Sequence, residues 1–172
     1  IKQEGDTLRG FIQNALEADL SKQVYFKPDS LSSLQLFRPK DILSFKIGRD
    51  IYQSMFFKNF AGEQVLEDTC FAKKLVKGSF DLYSFSRDQQ LYFLIRTDTL
   101  TYFLYNTVFD GNGELIKPGI YLNVLNLISL PYEKSLAVYA RVGYNEKEMS
   151  GFIAGLNMNI APEETENYYH KA

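Results

Sequence analysis

Hydrophobic and polar residues alternate over most of the first two thirds of the chain, which is the period of β-strands. The alternation is densest between residues 78 and 105, where Phe and Tyr recur at short intervals. Large apolar side chains fall on both predicted strand faces, so each face must pack against something. The faces around residue 82 are Phe80, Leu82 and Ser84 on one side and Asp81, Tyr83 and Phe85 on the other.

Turn residues divide this region into short segments. Gly, Pro, Asn, Asp and Ser are the residues that tight turns favour, and strands separated by such turns every 8–12 residues or so are typical of antiparallel sheets. The predicted breaks are Gly5 and Asp6, Pro28, Pro39, residues 48–50, a polar break over residues 59–67, Lys77 and Gly78, residues 86–90, and residues 97–99. One candidate strand lies over residues 30–37.

From Lys117 onward the hydrophobic spacing changes from two residues to about 3.6, the period of an α-helix. Pro118 is expected in the first turn of one helix, because proline fits that position. Ser129 is a candidate cap for a second helix that ends at Gly143. The loop before these helices, residues 111–119, is predicted to lie on the surface.

The third helix has the clearest signal. Asn145 can cap its N-terminus, and Glu148 follows three residues later, as in a capping box. The apolar stripe that follows is Met149, Phe152, Ile153 and Leu156.

These elements predict an α+β fold in one domain over residues 1–160. An antiparallel sheet over about residues 1–111, which could close into a barrel, precedes two or three helices over about residues 117–157. Residues 161–172 are predicted to be a polar tail or linker. At 172 residues, the chain is long enough to bury a hydrophobic core.

The charge balance argues against nucleic acid as a partner. The chain has 19 basic and 21 acidic side chains, whereas nucleic-acid binding normally needs a basic excess. Between residues 78 and 105, Arg87 and Arg96 are offset by Asp81, Asp88 and Asp98.

The sequence offers little for catalysis, and we predict no enzyme activity, no cofactor and no metal. His170, the one histidine, lies at the end of the predicted tail, where it cannot support a nucleophile. Cys70, the one cysteine, is predicted to be a buried small hydrophobe. Residues 110–114 lack the full spacing of a calcium loop, and no phosphate-binding loop is present. Paired carboxylates remain an alternative, although Asp81, Asp88, Asp98 and Asp110 are better interpreted as solvated turn residues.

The aromatic strands leave two interpretations open. Either the rings fill the core, or some of them form a surface that binds a protein. The candidate interaction surface is Tyr83, Phe85, Tyr92, Tyr102 and Tyr105. In a rival interpretation, tyrosines ring a carbohydrate or lipid pocket with amides from Gln89, Gln90 and Asn106.

The chain shows no apolar run long enough for a transmembrane helix and no visible signal peptide. It begins with Ile1 rather than Met, so we expect a processed or cloned fragment whose targeting segment lies upstream.

Several fragments in order resemble a group of uncharacterised cell-envelope proteins of Bacteroidetes bacteria. The fragments are GDTLRGFI, VYFKPD, RPKDILSFKI, CFAKKLVKGSFDLYSF and YNEKEMSGFIAGLN, which span residues 5–157. The resemblance implies a periplasmic domain, often linked to an outer-membrane β-barrel, and it supplies no catalytic residues.

Together these observations lead to a functional hypothesis. We expect a non-enzymatic periplasmic protein-interaction module that is associated with an outer-membrane complex. Its partner would be an outer-membrane or periplasmic protein, with no nucleic acid, and it would contact the membrane only through that partner or a flanking segment. The alternative is a carbohydrate- or lipid-binding domain of the cell envelope.

Overall fold

A computed structural model describes residues 7–13, 17–61, 64–109, 115–119, 121–130 and 142–158. Over these residues the fold is α+β, as the sequence predicts. The strands are β1 (Phe11–Ile12), β2 (Val24–Lys27), β3 (Gln35–Phe37), β4 (Ser44–Ile47), β5 (Asp50–Ala61), β6 (Gln64–Val76), β7 (Asp81–Arg87), β8 (Gln90–Arg96), β9 (Thr101–Leu104), β10 (Thr107–Phe109) and β11 (Leu115–Pro118). The helices are α1 (Glu17–Leu20), α2 (Tyr121–Ser129) and α3 (Glu146–Met158).

The described strands form three sheets, in which β1–β2, β2–β3, β4–β5, β5–β6 and β10–β11 are antiparallel pairs. The strand order is β1-β2-β3 in a three-stranded sheet, β10-β11 in a two-stranded sheet, and β4-β5-β6-β7-β8-β9 in a six-stranded sheet, which is the largest of the three. The largest sheet is open in the described part of the chain, so it does not form the barrel that the sequence allowed. Strand β4 therefore lies at one edge.

The chain divides into two compact units by its internal contacts. The first unit comprises Ile1–Lys74 and Tyr83–Phe93, and the second comprises Leu75–Leu82 and Leu94–Ala172. The assignment of residues 1–160 to a single domain stays a prediction from the sequence.

In the first unit, the pairing of β5 with β6 sorts the apolar residues onto two faces. Tyr52 and Phe71 share one face, where they join a buried cluster with Leu20, Val24 and Ile42. The opposite face carries buried Met55, Phe57, Cys70 and Ala72. Because buried residues occur on both faces, the sequence of these strands does not alternate simply between apolar and polar residues.

Two predicted turns are tight hairpin turns. Gly48 has a φ of 60° between β4 and β5, a left-handed conformation that glycine adopts at no steric cost. Between β7 and β8, Asp88 and Gln89 have φ angles of 50° and 64°, the pattern of a type I′ turn. The two-residue length fixes the register of each hairpin.

The polar break predicted over residues 59–67 is wrong. Strand β5 continues to Ala61 and β6 begins at Gln64, with Lys58 opposite Glu67 in the register. An antiparallel ladder is held by backbone hydrogen bonds, so it can continue through polar residues.

The strand predicted over residues 30–37 is shorter than expected. It is confined to β3, because the Asp29 carboxylate accepts hydrogen bonds from the backbone amides of Leu31 and Ser32, both at 2.8 Å. Such a turn diverts backbone amides that a strand would use.

Pro118 is not in a helical turn as predicted, since it ends β11 opposite Thr107. Gly119, with a φ of 71°, then redirects the chain, and α2 begins at Tyr121. Ser129 is the last residue of α2, and its hydroxyl donates to the Leu125 carbonyl at 2.5 Å. The predicted second helix, the Gly5–Asp6 turn, residues 110–114 and the tail over residues 161–172 lie outside the described residues.

Helix α3 begins as predicted. The Asn145 side chain accepts a hydrogen bond from the Glu148 amide at 3.0 Å, and the Glu148 carboxylate accepts from Asn145 Nδ2 and from the Gly143 amide. Of the predicted stripe, Met149, Ile153 and Leu156 are buried and Phe152 is half-buried. The hydrogen bond from Asn145, followed by that from Gly143, holds the pKa of Glu148 below its ordinary value of 4.5.

The other end of α3 is fixed by Asn157. Its side-chain amide donates to the Phe80 carbonyl at 3.0 Å and accepts from the Phe80 amide at 2.9 Å. Gly78 permits this approach, because a Cβ at that position would lie 2.3 Å from the Asn157 side chain. The same turn is held by Asp81, whose carboxylate accepts from the Gly78 amide and pairs with Arg96 at 3.1 Å.

We expect Asn157→Ala to lower the free energy of unfolding by about 1–2 kcal/mol, because both backbone groups of Phe80 lose their partner. Urea unfolding followed by circular dichroism measures this. The control is Asn123→Ala at an exposed position of α2, which should change stability by no more than about 0.5 kcal/mol. Equal effects of the two substitutions would contradict the proposed role of Asn157.

We also expect stability to fall on acidification through Glu148. Its pKa is lower in the folded chain than its ordinary value, so the stabilisation is complete above the unfolded pKa and is lost as pH falls through the folded pKa. Urea midpoints measured from about pH 6 to pH 3 should therefore depend less on pH in Glu148→Gln than in the parent chain. Glu146→Gln makes the same charge change in the same helical turn, and a similar loss of pH dependence there would argue against a specific effect of Glu148.

Candidate functional site

Two of the five residues in the predicted aromatic surface are core residues. Tyr83 is 0% exposed and Phe85 is 4% exposed. The Tyr83 hydroxyl donates to Gln53 Oε1 at 2.9 Å, and the Phe85 ring lies 5.5 Å from that of Phe57. Because both side chains are buried, neither is available to a partner, and the prediction is wrong for these two residues.

Tyr92 belongs to the same aromatic cluster but is only partly buried. Its ring stacks on Phe85 with centroids 5.3 Å apart, and its hydroxyl donates to Gln90 Oε1 at 2.8 Å. Burial, reinforced by the charge of Asp88, raises the pKa of the Tyr92 hydroxyl. The structure thus brings Tyr92 and Gln90 together, whereas Gln89 occupies the turn between β7 and β8.

Tyr102 and Tyr105 are partly buried residues of the second unit. The Tyr105 ring lies 4.3 Å from that of Phe103, and the Asn106 carbonyl accepts a hydrogen bond from the Gly119 amide. Contact of Tyr92, Tyr102 or Tyr105 with a partner stays a prediction.

Cys70 is buried as the sequence predicts, with 0% exposure. Burial raises the pKa of its thiol to about 12, although nearby Arg87 acts in the opposite direction. Arg87 itself is paired with Asp68, so its charge is already balanced. Since the thiolate is the reactive form, Cys70 is a structural residue in this environment.

An apolar groove in the first unit is a candidate binding site. Its volume is about 690 Å³. It is lined by residues 7–12, residues 44–48, Val24, Phe26, Phe37, Ile42 and Ile51. We call this surface the edge groove.

The edge groove runs along the open side of β4. Phe45 and Ile47 point to one face of the sheet and Ser44 and Lys46 to the other, because side chains alternate along a strand. All four residues nevertheless line the same groove. A groove that touches both faces of one strand must follow its edge, and β4 is the edge strand.

The groove has a buried floor and exposed walls. Val24, Phe26 and Ile42 are buried, whereas Phe11 is 59% exposed and Ile51 is 45% exposed. Exposed apolar walls of this kind are typical of surfaces that bind a partner. Gly10, which also lines the groove, packs closely against β2, because a Cβ at this position would lie 2.2 Å from the Lys27 carbonyl oxygen.

The charged residues among those that line the edge groove are both basic. Arg9 and Lys46 are exposed, and no carboxylate is found among the described residues that line the groove. The groove therefore favours a ligand with apolar groups and negative charge.

The sequence did not single out this site. The aromatic density drew attention to residues 78–105, whereas the groove residues are spread over residues 7–51 in segments of ordinary composition. The one local signal was the alternation of apolar Leu43, Phe45 and Ile47 with polar Ser44 and Lys46, just before the Gly48 turn.

Other kinds of site find no support among the described residues. No three His, Cys, Asp or Glu side chains there cluster as a metal ion would require. In that part of the chain, no helix has the length and apolar character needed to cross a bilayer.

Comparison with known proteins gives no match. No family model matches the chain, and neither a curated protein nor a solved structure is significantly similar to it. The resemblance to envelope proteins accordingly stays a prediction.

We expect the Cys70 thiol to react with an aromatic disulfide reagent at least about 100-fold more slowly in the native chain than in urea, because burial suppresses both access and ionisation. The chain has one cysteine, so the absorbance of the released thiol reports this site alone. Rapid reaction under native conditions would show that β5 and β6 open readily or that the thiol is exposed.

Proposed function

We propose that this chain is a non-enzymatic protein-interaction module of the bacterial periplasm, associated with an outer-membrane complex. The observation that carries the proposal is the edge groove, an open apolar surface with two basic residues at the edge of a sheet. The periplasmic location and the outer-membrane partner rest on the resemblance of the sequence fragments to envelope proteins.

The openness of the groove favours a protein partner over a small ligand. Phe11 and Ile51 would still face water on one side if only a slender molecule lay between them. A protein segment that is part of a larger body can cover the exposed walls as well as the floor. Specific protein interfaces gain from such burial at their centre.

Lipid binding is the second candidate. The groove volume of about 690 Å³ lies within the range of small-molecule pockets, and Arg9 and Lys46 could pair with an acidic headgroup. A single acyl chain would leave the apolar walls partly exposed, so this candidate fits less well. Carbohydrate binding has no comparable observation in its favour.

The test uses Ile51→Ser in the groove and Leu31→Ser as a matched control. Leu31 is 97% exposed and lies outside the groove. The full-length protein and each variant are purified from the detergent-solubilised envelope of the native host, and the co-purified proteins are quantified. We expect one outer-membrane or periplasmic protein to be recovered in stoichiometric amount with the parent and with Leu31→Ser.

Recovery of that protein should fall at least about fivefold with Ile51→Ser, because an apolar contact on the groove wall is lost. Thermal unfolding of each variant shows whether the fold is retained. Recovery of a monomer that carries lipid or glycan and no protein would contradict the proposal, as would equal recovery with both variants.

A further inference from the structure

We propose that the partner adds an extended segment as a further strand on the open edge of β4, and that this segment alternates apolar and acidic residues. The inference rests on the proposed function, since it names how the partner occupies the edge groove. Strand addition of this kind uses main-chain hydrogen bonds for affinity and alternate side chains for specificity.

The backbone orientation of β4 comes from its register with β5. The Ser54 amide donates to the Leu43 carbonyl at 2.8 Å, so this pair exchanges ladder hydrogen bonds. Hydrogen-bonded pairs alternate with non-bonded pairs along an antiparallel ladder. Phe45 opposite Tyr52 is therefore a bonded pair, and Lys46 opposite Ile51 is not.

It follows that the amide and carbonyl of Lys46 point away from β5, toward the open edge. Lys46 also lines the edge groove. A molecule that fills the groove covers these polar groups, and covering them without a hydrogen bond is unfavourable. A peptide backbone can pair with both groups, whereas an acyl chain can pair with neither.

The two faces of β4 define the chemistry of the added strand. Phe45 stacks on Tyr52 with centroids 4.8 Å apart and meets the Phe71 ring edge at 4.9 Å, so this face is apolar. Lys46 lies on the opposite face. A strand paired with β4 would place apolar side chains beside Phe45 and Ile47 and a carboxylate beside Lys46.

The charge of the groove supports the same choice. Arg9 and Lys46 both line the groove, so a segment that fills it meets two basic residues. Since the charged residues among the described lining of the groove are basic, acidic segments are favoured over basic ones.

The probe is an acetylated peptide of alternating valine and glutamate with one tryptophan at its end. The chain contains no tryptophan, so the fluorescence of the probe can be excited without a tryptophan background. Two matched control peptides have the same sequence with N-methyl groups on every second amide, so that each peptide is methylated along one of its two edges. N-methylation removes the donors of that edge and leaves side chains and charge unchanged.

We expect saturable binding of the parent peptide and about tenfold weaker binding of one N-methylated form, since the hydrogen bond to the outward Lys46 carbonyl is lost. Lys46→Pro should weaken binding about tenfold as well, because it removes the outward amide. Proline is tolerated at this position of an edge strand, where the amide does not serve the ladder. Lys46→Ala retains the amide and should weaken binding only about threefold through the loss of charge.

Equal binding of the parent peptide and both N-methylated forms would overturn strand addition, as would equal binding by Lys46→Pro and Lys46→Ala. Displacement of the peptide by palmitate with equal affinity in the parent and in Lys46→Pro would favour the lipid alternative and would also overturn strand addition. If the peptide fails to bind while Ile51→Ser still abolishes capture of the partner, the strand mode is wrong and the proposed function stands. If capture is unaffected by Ile51→Ser as well, both fail.

Discussion

The backbone pairing of β5 with β6 is the constraint on which the first unit depends. It runs from Tyr52 opposite Lys73 to Ala61 opposite Gln64. In a strand pair a shift of one residue would exchange the two faces, so this register decides which side chains enter each core. It places Tyr52 in the cluster with Phe71, and Met55 on the other face. The short hairpin turn at Gly48 then holds β4 against β5 and leaves β4 at the edge of the sheet.

The aromatic residues of β7 and the candidate binding site have separate roles. Tyr83 and Phe85 are buried and contact Gln53 and Phe57, which makes them part of the packing of the sheet. The edge groove instead has a buried floor of Val24, Phe26 and Ile42 and exposed apolar walls. A binding surface at a strand edge needs backbone groups and space, and neither requires a high density of rings.

Hydrogen bonds from side chains to backbone groups hold the elements of the second unit in place. Asn157 pairs with both backbone groups of Phe80, and the Tyr144 hydroxyl donates to the Leu104 carbonyl at 2.6 Å. Tyr121 does the same with the Val142 carbonyl. These contacts join residues distant in sequence, so each adds a specific long-range constraint to the apolar packing of α3.

The sequence by itself determined the α+β class, the tight turns, the burial of Cys70 and the start of α3, because periodicity, turn residues and capping are local properties. It failed where a side chain captured nearby amides, as at Asp29, and where the long hairpin continued through polar residues. Only the tertiary structure decided which aromatic residues are buried and where the groove lies. The reason is that burial and strand edges depend on which segments meet in space, and no local pattern encodes that residues 7–12 and β4 line one groove.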